Sequence, residues 1–229
     1  LPKPDFVIGD VGTTIYHVGP EQQWIRQGAW EEEIAVDWAG KSHADIKLLL
    51  NGVKDLRLQE RSKQNRYKLS YYVPLQSNRE RLSSIINQRF EEKGIRASLI
   101  WSIDEPVGIG LLDILPARAS KYHAIHALMR MHGFSYENTV FCGDSGNDLE
   151  VLASPIPAVL VANAQPVVRE FALQRAETLG CERQLYIAKG RFMRMNGNYS
   201  AGMLEGIAYY HPQTLEWMGF GDMQTEASQ

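Results

Sequence analysis

Cysteine is scarce in this sequence of 229 residues: Cys142 and Cys181 are the two present. With no Cys-x-x-Cys spacing, a disulfide-stapled secreted scaffold and a thiolate zinc site are both excluded, and a reducing, cytoplasmic setting is expected. An excess of one charge is missing as well. The 24 Lys and Arg residues stand against 27 Asp and Glu, a net charge of −3, so no surplus exists to neutralise a nucleic-acid backbone or to hold an anionic membrane. Long apolar runs are lacking too: the one at residues 109–112 stops at Asp113, whereas crossing a bilayer takes about 20 apolar residues. There is no internal repeat and no low-complexity block. An initiator Met is absent, and Leu1-Pro2-Lys3-Pro4 runs straight into an apolar stretch. That is the pattern expected of a chain cut from a longer one, whose targeting signal would lie upstream. What is present is the composition of an ordinary globular protein, 44% hydrophobic and 22% charged, with length for one large domain or two small ones.

Phe6-Val7-Ile8 and Thr13-Thr14-Ile15-Tyr16 predict two short strands around the turn Gly9-Asp10-Val11-Gly12. Residues 21–53 are rich in Trp, Glu, Ala and Leu, with Trp30, Ile34 and Trp38 at i, i+4 and i+8, and are expected to be helical. Over residues 66–73, Tyr67, Leu69, Tyr71 and Val73 alternate with Lys68, Ser70 and Tyr72, the period of a half-buried strand. Residues 78–93 carry Leu82, Ile85, Ile86 and Phe90 on one stripe and stop at Gly94, as an amphipathic helix does. A strand at 97–103 follows. Residues 20–106 are thus expected to form an inserted α+β module between a partial core at 1–19 and a main core at 107–218, with a disordered polar tail at 219–229. In the main core, strands at 109–115, 139–142, 158–161 and 184–188 alternate with helices, among them 120–131 and 201–210. Unbroken apolar strands separated by helices predict a parallel, doubly wound α/β sheet covered on both faces.

The densest chemistry is in Gly143-Asp144-Ser145-Gly146-Asn147-Asp148, a turn at the end of an apolar strand. In an open parallel sheet, ligands bind beyond the carboxyl ends of the strands. Two carboxylates with an amide between them are the hard oxygen donors that Mg²⁺ prefers. A turn whose Asp148 caps the next helix is the plain alternative; a cap needs one carboxylate, and this loop has two. Lys121, opening a predicted helix, can meet a phosphate as a compact point charge or stay solvated. Asn163 follows another predicted strand and can face a ligand or simply make the turn. The six His show no ligand spacing, and Cys142 suits a small, buried apolar position.

These residues resemble the haloacid dehalogenase superfamily of phosphatases. The 143–148 loop is similar to its fourth motif, and Asp113-Ile114-Leu115-Pro116 with Ala119-Ser120-Lys121 is similar to its third. The inserted module resembles its second cap type. Three further stretches narrow the resemblance: Gly12-Thr13-Thr14-Ile15-Tyr16-His17, Tyr67-Lys68-Leu69-Ser70-Tyr71-Tyr72 and Tyr199-Ser200-Ala201-Gly202-Met203-Leu204-Glu205-Gly206-Ile207. They look like sucrose-6-phosphate phosphatases and the related domain of sucrose-phosphate synthases. The resemblance implies a doubly wound, Rossmann-like α/β core with an inserted α+β cap. It implies Mg²⁺ held through Asp144 and Asn147, and Lys121 and Asp148 as catalytic residues. The substrate would be a sugar phosphate contacted by Lys68 and Ser70 in the cap, unless these two form a solvent-facing row. Asn163 would touch phosphate or brace Lys121.

The superfamily's first motif is an Asp-x-Asp pair that supplies the nucleophile and a proton donor. No such pair occurs in this sequence, and Asp10 sits in the turn that leads toward the cap. The phosphate-binding Ser or Thr of the second motif has no counterpart either. The resemblance therefore implies a Mg²⁺-dependent phosphatase converting sucrose 6-phosphate to sucrose and phosphate, lacking here its first strand-helix-strand and inactive as this chain alone. Trehalose, mannosyl or hexose phosphates are variants of that reading. The alternative is a non-catalytic sugar-phosphate-binding domain fused to, or associated with, a sucrose-phosphate synthase.

Overall fold

The structure, a computed structural model, describes residues 3–219; the tail expected at 219–229 lies, beyond Gly219, outside them. The chain divides into two compact units, Leu1–Leu128 and Met129–Gln229. The first opens with β1 (Phe6–Gly9) and β2 (Thr14–Val18), an antiparallel pair in which Phe6 faces His17 and Gly9 faces Thr14. A third strand, β3 (Trp24–Arg26), adds to β2. It corrects the helix expected throughout 21–53, because three residues are too few to display a period-2 pattern in sequence. The helical part of that stretch is α1 (Gly28–Ala35) and α2 (His43–Leu49). Trp30, Ile34 and Trp38 are all buried, as their spacing predicted. Ser42 and Asp45 form a capping box that fixes the start of α2.

The same unit contains β4 (Arg57–Leu58), β5 (Leu69–Val73), α3 (Arg79–Glu91), β6 (Ala97–Asp104) and β7 (Ile109–Pro116). The four strands form one antiparallel sheet in the order β4-β5-β7-β6. Here the expected parallel strand at 109–115 is corrected: β7 runs antiparallel between β5 and β6, with Leu112 opposite both Tyr71 and Trp101. Its burial alternates, with Gly110, Leu112 and Ile114 buried and Ile109, Leu111 and Asp113 half-buried between them, and the apolar run that marks it as a strand does not reveal its direction. Asn78 caps α3 by accepting the Arg81 N–H, and Leu82, Ile86 and Phe90 of α3 are buried.

Helix α4 (Lys121–His132) carries the chain into the second unit. There β8 (Phe141–Gly143), α5 (Leu149–Leu152), β9 (Ala158–Leu160), α6 (Pro166–Leu179), β10 (Leu185–Ile187), α7 (Tyr199–Tyr210) and α8 (Thr214–Trp217) follow one another. The sheet is parallel, in the order β10-β9-β8. One face packs Leu152 of α5 and Val168 and Ala172 of α6 against Ala158 and Leu160. The other receives α7 at close range: a Cβ on Gly206 would lie 2.1 Å from Val159 Cγ2. Successive residues of β9 thus bury alternately into the two helical layers, which makes the sheet doubly wound as predicted. Among the described residues no helix is long and apolar enough to cross a membrane.

Candidate functional site

The acidic loop leaves the carboxyl end of β8 and has a definite internal structure. Asp148 is 5% exposed, and its Oδ2 accepts the backbone N–H groups of Asp144 (3.2 Å) and Ser145 (3.1 Å) and the Ser145 hydroxyl (2.8 Å). Three donors on one carboxylate oxygen hold the turn closed. Glycine is required before it, because a Cβ on Gly143 would come within 2.8 Å of the Asp148 side chain. Asp144 is exposed and its carboxylate has no partner among the described residues, while Asn147, also exposed, accepts the Ser145 hydroxyl at 2.7 Å. The two acids of the loop thus differ: Asp148 braces the turn from within, without a side-chain bond capping α5, and Asp144 is left exposed by it.

Among the described residues no group of three His, Cys, Asp or Glu side chains could hold a metal alone. One carboxylate and one amide oxygen nevertheless fit Mg²⁺, which keeps several waters and takes few protein ligands. Cys142, inside β8, has its thiol pushed up to about 11 by burial, so it stays protonated and inert near neutral pH.

Lys121 is the first residue of α4 and half-buried. The turn at Gly12 lies against its backbone: φ is +95° there, and a Cβ would sit 2.6 Å from the Ser120 carbonyl carbon. Trp30 donates its indole N–H to the Gly12 carbonyl at 3.0 Å, and Asn65 donates to the Thr13 hydroxyl at 2.8 Å. On the loop ahead of Lys121, the Arg118 N–H donates to Asp37 at 2.8 Å. Asp37 is 0% exposed, pairs with the Arg96 guanidinium and accepts the Arg96 N–H on its carbonyl. Sequence reasoning assigns no role to Asp37 or Asn65, and places Trp30 in the core without its bond to Gly12. A lone acid between Val36 and Trp38 was the available signal, since a carboxylate inside an apolar stripe must find donors.

Lys68, in an isolated bridge with Asn65 just before β5, is half-buried, with no side-chain hydrogen bond or ion pair among the described residues. Ser70 is 0% exposed and so does not belong to a solvent-facing row. Its hydroxyl donates to Asp113 Oδ1, directly across on β7, with the Lys63 carbonyl 3.1 Å away. Gln64 clamps the same residue from the backbone side, accepting the Ser70 N–H and donating to the Ser70 carbonyl, both at 2.9 Å. Asn163, in the second unit after β9, spends its side-chain carbonyl on the Tyr199 N–H (2.7 Å) at the start of α7. Lys68, Ser70 and Lys121 thus belong to the first unit, and Asp144, Asn147, Asp148 and Asn163 to the second.

Comparison with known proteins gives this arrangement a family. The chain is 53% identical over 221 residues to a putative HAD-like hydrolase of Nitrosococcus oceani, covering 96% of this chain and 59% of that one. It is 33% identical over 183 residues to sucrose-phosphatase 2 of Nicotiana tabacum, covering 76% of this chain and 39% of that protein. It therefore spans less than two thirds of the length of either relative. The fold matches the sucrose-phosphatase of Synechocystis, solved with sucrose and phosphate, at a TM-score of 0.66 and 26% identity over 92% of this chain and 75% of that one. A family model described as sucrose-6F-phosphate phosphohydrolase matches residues 1–211, and to that phosphatase family this chain belongs.

Proposed function

We propose that the chain carries the metal-binding, phosphate-binding and sugar-recognising residues of a Mg²⁺-dependent sugar-phosphate phosphatase of the cytoplasm, with sucrose 6-phosphate as its preferred substrate. The observation that carries this reading is the division of labour in the 143–148 loop. Asp148 is consumed in shaping the turn, and the shaped turn presents Asp144 beside Asn147 at the end of a parallel strand. The relatives support it, being named as phosphatases or as a hydrolase.

Asp144 and the Asn147 amide oxygen are the groups that would hold Mg²⁺, which when bound would stabilise charge on the reacting phosphoryl group. Lys121 neutralises phosphate oxygens, its backbone fixed by the Gly12 turn and by the Asp37-anchored loop. Asp148 acts on the reaction by holding Asp144 in place, and Asn163 by fixing the start of α7. The inserted cap, expected at 20–106, in this proposal takes β7 as well. Lys68 then meets sugar hydroxyls, and Ser70 works through Asp113, whose carboxylate it orients. The 229 residues contain no Asp-x-Asp pair, so the attacking carboxylate comes from outside them and the chain alone is inactive.

The test is phosphate release from sucrose 6-phosphate. The 229-residue chain with Mg²⁺ should release none above background, and rapid turnover by it would overturn the assignment of the nucleophile to a segment outside these residues. In protein that also carries the nucleophile, Asp144→Ala should cut kcat by roughly 10²-fold or more with the circular dichroism spectrum unchanged. Full turnover in that variant would remove Asp144 from the metal site.

A further inference from the structure

The carboxyl ends of β9 and β10 enclose a second concavity, built wholly within the second unit and lined by none of Asp144, Asn147 and Asp148. Its volume is about 610 Å³, within the range of small-molecule sites. Its walls include Val161, Ala162 and Ile187, and its charged lining consists of Arg169, Lys189 and Arg191, with no acidic side chain among the lining residues. None of these three cations makes an ion pair or side-chain hydrogen bond with another described residue.

The cationic loop is held from behind. Glu205 of α7 is 5% exposed, and its carboxylate accepts the N–H groups of Lys189 (2.6 Å) and Gly190 (3.0 Å) and the Tyr186 hydroxyl (2.9 Å). The Glu205 carboxylate is thus occupied by backbone and phenol donors, while the Lys189 ammonium has no side-chain partner among the described residues. Pro166, which also lines the cavity, begins the 14-residue helix α6, whose positive dipole end adds to the same field. Three uncompensated cations around an apolar-walled cavity at the carboxyl ends of parallel strands form an anion receptor.

We propose that this cavity is a second ligand site, in which Lys189, Arg191 and Arg169 bind a phosphate group, either free inorganic phosphate or the phosphate of a small phosphorylated metabolite. The site is independent of Mg²⁺ and of the reading given to Asp144, so the two proposals stand or fall separately.

The experiment is an NMR titration of the ¹⁵N-labelled 229-residue protein with inorganic phosphate, without Mg²⁺ and at constant ionic strength. Saturable shifts are expected at residues 160–169 and 187–191. The double variant Lys189→Ala/Arg191→Ala should weaken binding at least tenfold, while Asp144→Asn should leave it unchanged. A parallel titration with glucose 6-phosphate separates the two sources: tighter binding of the ester seats an organic phosphate against the apolar wall, and equal binding assigns the site to the free anion. Absence of saturation, displacement by chloride as effective as by phosphate, or loss of binding in Asp144→Asn in place of the double variant would each overturn the proposal.

Discussion

Asp37 and Arg118 are 81 positions apart in sequence, yet a buried carboxylate and a backbone N–H join them 2.8 Å apart just ahead of Lys121. Removing the acid strands that N–H and the Arg96 guanidinium together. Breaking a fully buried pair costs about 3–5 kcal/mol, but Arg96 and Arg118 are half exposed to water, so Asp37→Ala should cost about 2–3 kcal/mol. Urea unfolding measures this, and an unchanged midpoint would show that the staple contributes nothing. Lys68 is the opposite case, a cation without a side-chain partner among the described residues. Lys68→Ala should raise KM for sucrose 6-phosphate several-fold while leaving turnover of a small aryl phosphate intact, because only the sugar uses the cap; equal losses on both substrates would exclude sugar recognition. Residue types showed in the sequence which groups were chemically capable. They did not show that Asp148 is spent on Ser145 while Asp144 is presented, because that difference arises from the closed geometry of the turn.

At the scale of elements, periodicity revealed most helices and strands. The stripe of α3 and its Asn78 cap follow from local rules that need no tertiary partner, whereas the half-buried face expected of β5 is corrected by the burial of Ser70. Strand β7 shows where those rules stop. Its apolar run marks it as a strand, and only its pairing with β5 and β6 reveals the antiparallel direction. Helix α7 shows another limit: Gly202 and Gly206 read locally as weak helix formers, but they let the helix approach Val161 and Val159. Gly206→Ala should therefore destabilise the protein by about 1–3 kcal/mol through overpacking, despite alanine's better helix propensity. Adding Val159→Ala should restore part of that loss in a double-mutant cycle, since it clears the space the new methyl needs. Simple additivity would place the cause elsewhere.

Across the whole molecule, burial raises several groups that titrate at alkaline pH: the Cys142 thiol to about 11, and the Tyr71 and Tyr210 hydroxyls to about 12 each. In the unfolded chain a thiol ionises near ~8.5 and a phenol near ~10. As pH rises, the unfolded state then loses protons first, so stability is full below about pH 8 and declines as the folded values are approached. Thermal unfolding should show a level midpoint from about pH 7 to 8 and a falling one between about 9 and 11. Cys142→Ala should flatten the earliest part of that fall, and a midpoint rising across the window would contradict the assignment. The sequence by itself determined the α/β class and the family, and singled out the acidic loop and Lys121 as candidates, because composition, periodicity and short motifs are local properties of a chain. Only tertiary structure decided the direction of β7, the anchoring of the Lys121 loop on Asp37, the pairing of Ser70 with Asp113 and the convergence of Arg169, Lys189 and Arg191. Each depends on which distant residues meet, and that is set by packing.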